Sequence, residues 1–395
     1  MKNVLMLVLN TFVNDARVSR QAQKVSEVDR VSIFSRHEGY LPVKEELGAV
    51  TVIRHPVAVD KLQLKFVRPL RYLELTIRFV WAALKLKPSV VHAHDLNALP
   101  IGYLISRFTG AKLIYDSHEL WSEQEVQQSL PRYLRVVGRW FEKRYSKKSD
   151  SVITVSDGIA QELKNRFDLK YIHVVRNLPS YVETPVSKSQ SPLRQTLGIG
   201  SEDFVVLYQG GLSSGRGIEY LVEAFLTLQD PRLKLVLLGN GAMRDRLEMM
   251  VPENELGARV FFLAAVPHAE LLDWTGGANV GVHPMEGTCL NHKLALPNKL
   301  FEYIQARLPV IVSDMPEMSA FVKGGQIGLV FKDGDVAALA NCIERLANDP
   351  TLCSKLEEEA GRVASTFTWE NESSKLLSVY EGLGLNCGSV AENSQ

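Results

Sequence analysis

The sequence predicts an α/β protein made of two doubly wound domains. Short continuous apolar runs alternate with helical patterns along the 395 residues, and a Pro/Ser-rich segment separates two series of these runs. A parallel strand that helices cover on both faces has no side exposed to water, so its sequence is a continuous apolar run. A chain of this length also suits two domains. We predict an N-terminal domain over 1–182, a linker region over 183–200, a C-terminal domain over 201–367 and a flexible tail over 385–395.

The apolar runs locate the predicted strands. In the first half these are 4–9, 31–34, 50–53, 90–94, 112–115, 152–155 and 172–175. In the second half they are 204–208, 234–238, 259–263, 279–283, 309–312 and 329–331. Strands that alternate with helices build open parallel sheets, and ligands bind at the carboxyl ends of such strands. Glycines and polar residues that directly follow a strand are therefore the candidates for a functional site.

Charge is distributed unevenly although the whole chain is neutral. Residues 1–195 hold 30 Lys and Arg against 19 Asp and Glu, whereas residues 196–395 hold 15 against 26. This asymmetry indicates that the basic half meets an anionic surface or substrate, and the alternative is drift between two domains. No nucleic-acid partner is expected.

The cysteines show neither metal-ligand spacing nor a small-domain disulfide framework, which favours a reducing cytoplasm. They are Cys289, Cys342, Cys353 and Cys387. No apolar run approaches the roughly 18 residues that a membrane span needs.

The segment 296–314 is the most informative part of the chain, since it predicts a proline-led helix start followed by a buried strand. A helix N-terminus carries partial positive charge and free N–H groups, so it attracts phosphate. Lys299 adds a full charge in the first turn, and Glu302 can accept hydrogen bonds from sugar hydroxyls. Such a site suits a nucleoside diphosphate, and the alternative is a helix start whose Lys and Glu are only solvated.

Glycine-rich turns follow two strands of the second half. The first runs from Gly210 through Gly211 to Gly217 and contains Arg216, and the second holds Gly239 and Gly241. Glycines let the backbone approach a phosphate closely, and an arginine can bind it with two hydrogen bonds. A turn of this kind alone is a weak signal, since many are only tight.

Histidines and carboxylates follow two strands of the first half. His92, His94 and Asp95 end one strand, and alternation places the two histidines on one face. A metal site would need further ligands without an obvious source, so a polar cleft wall is favoured. After the next strand, His118 lies near Asp116 and Glu119, which makes it a candidate proton acceptor or a hydrogen-bonded structural histidine.

The first strand-to-helix turn contains no glycine. The dinucleotide fingerprint G-x-G-x-x-G is therefore absent where a nicotinamide-binding domain carries it, which counts against a dehydrogenase.

Two predicted helices, 70–87 and 132–148, are basic and amphipathic. The first has basic residues every seven positions and a separate apolar stripe: Arg71, Arg78 and Lys85, with Leu70, Leu73, Ile77, Val80, Trp81 and Leu84. The second has a similar pattern: Arg132, Arg135, Arg139, Lys143 and Lys147, with Leu134, Val137, Phe141 and Tyr145, and Trp140 beside them. Such helices suit an anionic membrane surface. The alternative is an ordinary surface helix whose apolar stripe packs on the sheet.

These motifs together resemble those of the retaining glycosyltransferases of the GT-B fold, in the family 4 group. The resemblance covers nearly the whole chain: Asp15-Ala16-Arg17-Val18, His92-Ala93-His94-Asp95, the His118 segment, Ser151–Ser156, Arg176-Asn177, the Gly210–Gly217 loop, Gly239-Asn240-Gly241, Pro297–Glu302, 333–340 and Thr368-Trp369-Glu370. It implies two Rossmann-like domains facing across a cleft, with helix 368–384 returning to the first domain. It also implies sugar transfer with retention and without a metal or other cofactor.

The resemblance assigns roles by position. Catalytic roles fall to His118, Arg216, Lys299 and Glu302. Donor binding falls to Gly210, Gly211, Ser213, Arg216, Gly239, Gly241, Asn298, Lys299, Leu300 and Glu302, and the acceptor side to Asn10, Asp15, Arg17, His94 and Asp95. By this analogy Arg216 and Lys299 hold the diphosphate, Glu302 holds the ribose, and His118 contacts the transferred sugar.

Two positions depart from the family pattern. Gly211 stands where the family often has an arginine, and Leu294 stands where it often has a glutamate. Glu286 or Asn291 would then contact the sugar.

The sequence thus predicts a cytoplasmic glycosyltransferase, peripheral at the inner face of the plasma membrane. It would move a sugar from a nucleotide-sugar to a lipid-linked glycan in cell-surface polysaccharide biosynthesis, such as capsule or lipopolysaccharide assembly. The alternatives are a non-catalytic nucleotide-sugar-binding partner of another transferase and a GT-B sugar-nucleotide epimerase.

Overall fold

Parallel strands followed by helices recur through the computed structural model, which describes residues 1–13, 15–61, 67–124, 130–253 and 256–385. The chain divides into two units. Unit 1 contains Met1–Arg176 and the segment that begins at Glu372, and unit 2 contains Asn177–Asn371. The sequence placed the corresponding boundaries near residues 182 and 368.

Unit 1 contains a sheet with the strand order β3-β4-β2-β1-β5-β6-β7-β8. Its strands are β1 (Asn3–Leu7), β2 (Arg30–Arg36), β3 (Lys44–Leu47), β4 (Val50–His55), β5 (Val90–His94), β6 (Lys112–Ser117), β7 (Ser151–Thr154) and β8 (Ile172–Val174). Its helices are α1 (Ala16–Ser26), α2 (Val67–Leu86), α3 (Asp95–Thr109), α4 (Arg132–Ser146) and α5 (Asp157–Phe167), with short 3-10 turns at Ala58–Lys61 and Trp121–Glu123. The central strand β1 is flanked by parallel β2 and β5, and Val4, Leu5, Met6 and Leu7 are all fully buried.

Unit 2 contains an all-parallel sheet with the order β11-β10-β9-β12-β13-β14. Its strands are β9 (Phe204–Gln209), β10 (Leu233–Leu238), β11 (Val260–Leu263), β12 (Val280–His283), β13 (Val310–Ser313) and β14 (Gly328–Phe331). Its helices are α6 (Pro192–Leu197), α7 (Ile218–Thr227), α8 (Arg244–Glu253), α9 (Leu271–Thr275), α10 (Leu290–Leu294), α11 (Asn298–Gln305), α12 (Pro316–Gly325), α13 (Val336–Asn348) and α14 (Pro350–Thr366), with a 3-10 turn at Lys188–Gln190. Helix α15 (Trp369–Gly382) enters unit 1 from Glu372 onward.

Helices cover both faces of the unit 2 sheet. Along β9, Val206 and Tyr208 belong to one apolar core, whereas Val205 and Leu207 belong to the other. Because both sides of the strand are buried, each position must be apolar. This explains the continuous apolar runs and confirms the predicted doubly wound fold.

Each sheet contains a point at which the strand order changes direction. In unit 2 the chain moves from β9 outward to β10 and β11, and then returns to the other side of β9 as β12. In unit 1 it returns beside β1 as β5. Ligand crevices of open α/β sheets lie at such switch points, outside the carboxyl ends of the strands.

Every predicted strand is present, with ends that differ from the prediction by at most two residues. One described strand was not predicted. Strand β3 pairs antiparallel with β4 at the edge of the unit 1 sheet, and its sequence Lys-Glu-Glu-Leu carries charge because an edge strand faces water. Of the helices that the structure describes, none combines the length and apolarity that a membrane crossing requires.

Candidate active site

In unit 2, the glycine loop after β9 places its backbone next to the side chain of Lys299. Gly210 has a φ of 114°, and a Cβ atom at this position would lie 2.9 Å from Nζ of Lys299. At the end of the loop, Gly217 has a φ of 64° and a Cβ there would lie 1.9 Å from the carbonyl oxygen of Pro284. Glycine is therefore required at both positions by conformation and by space.

Lys299 lies in the first turn of α11, which begins after Pro297 without a side-chain cap. Its Nζ donates a hydrogen bond to the Tyr208 hydroxyl at 3.1 Å and lies 4.5 Å from the centre of that ring. Burial, together with the charge of Arg216, lowers the pKa of Lys299 to about 7, although Glu302 opposes the shift. Among the described residues, no carboxylate forms an ion pair with Lys299 or Arg216. Two basic side chains thus lie close together near a helix N-terminus, and neither forms an ion pair with a described carboxylate.

His283 ends strand β12 beside these cations. It is fully buried, and neither ring nitrogen has a hydrogen-bond partner. Burial, followed by the charges of Lys299 and Arg216, lowers the pKa of His283 well below its ordinary value. The ring is therefore neutral and stacks 6.4 Å from Tyr208. Sequence reasoning missed His283 and Tyr208, although both lie at predicted strand ends.

The carboxylate of Glu302 is held in place by a short series of hydrogen bonds. Its Oε2 accepts a hydrogen bond from Nε2 of Gln209 at 2.7 Å, and Oε1 of Gln209 accepts one from the Thr275 hydroxyl at 2.8 Å. Gln209 is the last residue of β9, so the series links the carboxyl end of this strand to the first turn of α11. Sequence reasoning did not identify Gln209.

The other predicted donor residues differ in accessibility. Gly211 is exposed and a Cβ there would meet nothing within 4 Å. A Cβ on Gly239 would lie 1.9 Å from the Gly210 carbonyl, and one on Gly241 would lie 2.1 Å from the Leu212 carbonyl. These glycines therefore let neighbouring loops touch.

Three predicted donor residues remain. Asn298 is exposed and Ser213 is half-buried. The Leu300 side chain is fully buried in the core, and its N–H is already bonded to the carbonyl of Pro297 at 3.1 Å. In this structure Leu300 therefore has no group open to a ligand.

Asp116 is the centre of a buried polar network in unit 1. Its carboxylate receives hydrogen bonds from Nε and Nη2 of Arg17 at 3.1 and 2.7 Å, and from Nε2 of Gln21 at 2.9 Å. Burial alone would raise the pKa of Asp116, but the charges of Arg17 and His118 hold it well below its ordinary value. Asp116 is thus ionised, and the positive charge of Arg17 compensates its buried negative charge.

His92 and His94 stack on each other with ring centres 4.2 Å apart, which confirms that they share a face. They are 0% and 2% exposed, so the expectation of a polar cleft wall was wrong at these positions. Nδ1 of His94 lies 3.4 Å from Asp116, and Nδ1 of His92 contacts the Tyr380 hydroxyl of α15 at 2.8 Å. The two histidines are therefore part of the buried interior of unit 1.

The same histidines and Asp116 offer ligand atoms within 4.8 Å of one another. The Arg17 guanidinium, however, already occupies both oxygens of Asp116. A cation at this place would have to displace Arg17, so the cluster fits an ionic network better than a metal centre.

His118 lies at the accessible edge of the network and is 20% exposed. Its Nδ1 lies 3.4 Å from Asp95 and its Nε2 lies 3.4 Å from Asp116. Burial lowers the pKa of His118, but the two carboxylates raise it more, so its pKa lies above the ordinary value. The carboxylate of Glu119, the other predicted neighbour, accepts a hydrogen bond from Nε2 of Gln124 at 2.6 Å. The two carboxylates thus favour the protonated ring, which donates hydrogen bonds rather than accepting them.

Asp95 has a φ of 65°, a left-handed conformation that few residues other than glycine adopt. Its side chain is about half exposed. Such backbone strain persists only where surrounding contacts enforce it, and it is enriched at functional sites.

The remaining predicted acceptor residues fall into two groups. Asn10 is exposed and donates to Asp15 at 3.0 Å, and Asp15 caps α1 through the N–H of Val18 at 3.2 Å. Arg17 and His94 are buried inside the Asp116 network. Asn10, Asp15, Asp95 and His118 therefore form the accessible polar edge at the carboxyl ends of β1, β5 and β6.

Comparison with known families covers both units. The profile described as "Glycosyltransferase Family 4" matches residues 22–178, and the profile described as "Glycosyl transferases group 1" matches residues 189–363. The first segment contains Asp116, His92, His94 and His118 but not Arg17, and the second contains the Lys299 site.

Individual relatives are distant. The chain is 24% identical to the alpha-D-kanosaminyltransferase of Streptomyces kanamyceticus over 75% of this chain and 78% of that protein. It is also 24% identical to the putative glycosyltransferase EpsD of Bacillus subtilis, over 89% and 88% of the two chains.

Solved structures show the same fold. A sucrose-phosphate synthase from Thermosynechococcus elongatus superposes with a TM-score of 0.81 at 20% identity, over 97% of this chain and 99% of that one. Anabaena HepE in complex with UDP-glucose superposes with a TM-score of 0.76 at 18% identity, over 97% and 100% of the two chains.

Proposed function

Since the chain belongs to the group 1, family 4 glycosyltransferases of the GT-B fold, we propose that it is a retaining hexosyltransferase with a nucleotide-sugar donor. One observation carries the donor assignment. Arg216 and Lys299 lie beside the N-terminus of α11 with no anionic partner among the described residues. A diphosphate would complete this site, since it supplies the missing negative charge where helix N–H groups are free.

Each part of the donor meets a suitable group in this proposal. Arg216 and Lys299 bind the diphosphate and stabilise it as it leaves, so no metal ion is needed for this step. Glu302, held by Gln209 at 2.7 Å, accepts hydrogen bonds from the ribose hydroxyls. The neighbouring fold of Anabaena HepE was solved with UDP-glucose, which supports a donor of this class.

His118 of unit 1 contacts the transferred sugar in this proposal. Asp95 and Asp116 raise the pKa of His118 and so favour the protonated ring, whose N–H groups are hydrogen-bond donors. Asn10 and Asp15 lie at the same edge and would bind acceptor hydroxyls, whereas Arg17 and His94 would act indirectly by fixing Asp116.

The proposed acceptor is a lipid-linked glycan, and the proposed role is cell-surface polysaccharide biosynthesis at the inner face of the plasma membrane. The excess of 30 basic over 19 acidic residues in 1–195 favours an acceptor at an anionic surface. The fold neighbour WaaG, with a TM-score of 0.70, is described as involved in lipopolysaccharide biosynthesis, which is consistent with this role.

A transfer assay tests the proposal. The purified protein is incubated with a panel of nucleotide-sugars and a lipid-extract acceptor, and products are followed by mass spectrometry and by NMR of the anomeric proton. We expect transfer from one donor with the anomeric configuration retained. Arg216→Ala and Lys299→Ala should each reduce the rate about a hundredfold or more, as expected for a lost charge-assisted contact in a preorganised site.

Lys323→Ala is the matched control, since this exposed lysine of unit 2 lies on α12 and pairs with Asp314 at 3.6 Å. Transfer with inversion would overturn the retaining assignment. Near-normal rates in folded Arg216→Ala and Lys299→Ala would overturn the donor-site assignment.

A second candidate is a non-catalytic nucleotide-sugar-binding protein. The observation in its favour is Gly211, where the family often has an arginine and where this chain has open space. Donor binding without transfer or hydrolysis would support this candidate. Conversion of the donor sugar in the absence of any acceptor would instead identify an epimerase.

A further inference from the structure

His283 is a buried polar residue of unit 2 whose two ring nitrogens lack partners. It is the last residue of β12, and its side chain is fully buried. Among the described residues, neither Nδ1 nor Nε2 has a hydrogen-bond partner. The preceding residues of this strand, 280–282, are Val, Gly and Val. Because a buried polar group without a partner costs free energy, an imidazole at this position needs an explanation other than packing.

The ring lies where the strand order of the sheet reverses. Strand β12 returns to the side of β9 after β10 and β11, and ligand crevices form outside the carboxyl ends of strands at such points. The ring of Tyr208, from β9, stacks on that of His283 at 6.4 Å, and Nζ of Lys299 donates to the Tyr208 hydroxyl at 3.1 Å. His283 is therefore adjacent to the pair formed by Tyr208 and Lys299.

The charges around His283 indicate what kind of ligand it suits. After burial, the positive charges of Lys299 and Arg216 lower the pKa of His283, so the ring is neutral and carries one N–H donor. The same charges would repel a metal ion at this ring. They attract an anion, and a diphosphate supplies both the negative charge and several acceptor oxygens.

The glycine loop after β9 contacts the segment that follows His283. The N–H of Glu286 donates to the Gly215 carbonyl at 3.1 Å, and the Tyr208 hydroxyl donates to the Gly211 carbonyl at 3.0 Å. The buried ring, the tyrosine that stacks on it and the loop are thus linked by direct contacts. A movement of the loop therefore changes the surroundings of the ring.

We propose that His283 is a further donor-binding residue: the glycine loop shifts as a nucleoside diphosphate enters, and one ring N–H of His283 then donates a hydrogen bond to a phosphate oxygen. This inference rests on the proposed function, since it adds a residue to the same site. The imidazole lowers the stability of the free protein, and the bound diphosphate supplies the acceptor. His283 thus favours binding at the expense of folding, which a purely structural residue does not do.

Replacement by leucine separates the two effects. His283→Leu keeps a buried side chain of similar volume but removes both nitrogens. We expect the thermal midpoint of the free protein to rise by about 2 °C or more, because the unpartnered group is gone. Affinity should fall about tenfold or more, as for a lost hydrogen bond to a charged group. Calorimetry measures it with UDP, GDP and ADP, and inorganic pyrophosphate as a competitor should lose the same factor.

Two further variants make the comparison specific. His283→Gln retains an N–H donor and should recover part of the affinity that His283→Leu loses. His292 is also buried, but its Nδ1 contacts the Thr288 hydroxyl at 3.1 Å and the Glu286 carbonyl at 3.0 Å. His292→Leu should therefore lower the thermal midpoint, in contrast to His283→Leu.

The outcomes separate this inference from the proposed function. If the wild type binds a nucleoside diphosphate and folded His283→Leu binds it equally well, the inference is overturned and the proposed function stands. A lower thermal midpoint together with weaker binding in His283→Leu would also overturn the inference, since the ring would then be structural. Unchanged competition by pyrophosphate would place the contact elsewhere on the nucleotide and overturn the phosphate assignment. No nucleotide binding by the wild type would overturn both proposals.

Discussion

His118 is held between the carboxylates of Asp95 and Asp116, and this contact decides what the ring can do. The sequence identified His118 from its place after a strand, as a proton acceptor or a structural histidine near Asp116 and Glu119, but it did not pair the ring with Asp95. Asp95 lies 23 positions earlier, at the end of the adjacent strand. It reaches His118 only because β5 and β6 pair in parallel, with His94 opposite Asp116. Side-chain partners of this kind depend on register, which a single sequence does not supply.

The pKa of His118 tests this contact. Asp95→Asn keeps the shape and tolerates the left-handed backbone, but it removes one of the two charges that raise the pKa of His118. We expect the imidazole titration, followed by NMR, to move to lower pH in the variant. In the wild type the ring loses its proton as pH rises through the raised pKa, so transfer should decline there. In Asp95→Asn the decline should begin at lower pH.

Asp157→Asn is the matched control, since this exposed carboxylate pairs with Arg176 instead. An unchanged His118 titration in Asp95→Asn would contradict the assigned contact.

Lys299 gives donor binding a pH dependence. Its pKa of about 7 in the free protein means that the amine is largely neutral above that pH. A bound diphosphate favours the charged form and raises the pKa, so binding above pH 7 takes up a proton. Affinity should therefore be greatest below about pH 7 and fall by up to about tenfold per pH unit above it. Calorimetry in buffers of different ionisation enthalpy measures the proton uptake.

Lys299→Arg is the sharpest comparison, since the guanidinium stays charged throughout this range. We expect this variant to bind without proton uptake at Lys299 and with a flatter pH profile. The same uptake in wild type and variant would show that another group titrates.

At the scale of the element, α11 depends on a close approach to the sheet. A Cβ on Gly281 of β12 would lie 2.3 Å from Cγ of Tyr303, the α11 residue whose hydroxyl accepts the N–H of Gln209 at 3.1 Å. Gly281→Ala must push α11 away from β12 and β9. We expect the variant to lose about 1–3 kcal/mol in free energy of unfolding and to bind nucleotide more weakly, because Lys299 and Glu302 move with the helix. Urea unfolding and calorimetry measure the two effects.

Gly324→Ala on α12 is the control, since a Cβ there would meet nothing within 4 Å. It should be neutral or stabilising by up to about 1 kcal/mol. Equal stability of the two variants would show that α11 does not need the space at Gly281.

The sequence predicted strands well where both faces of the strand are buried. Central strands such as β1 and β9 are apolar at every position because helices cover both of their faces. It failed for β3, whose charged edge sequence has no apolar run. It also left open which side of α2 packs inward, since that helix has apolar residues on two sides and only the packed structure distinguishes Phe79 from Ile77.

At the scale of the whole molecule, each unit contains a different kind of polar site. Unit 2 contains an uncompensated cationic site at a helix N-terminus, and unit 1 contains a compensated ionic network with an accessible polar edge. The sequence predicted the first because glycines, Lys299 and Glu302 are local to short motifs. It could not predict the second, since Arg17 and Asp116 are 99 positions apart and meet only through the order of the strands.

The central claim is that unit 2 binds the diphosphate of a nucleotide-sugar through Lys299 and Arg216. The most direct measurement is calorimetric titration of the purified chain with nucleoside diphosphates and their sugar conjugates. We predict saturable binding of one base family, weakened roughly ten- to hundredfold by Lys299→Ala, as a charge-assisted hydrogen bond implies, and unchanged by Lys323→Ala. No binding of any nucleotide by the folded protein, or equal affinity in Lys299→Ala, would contradict the claim.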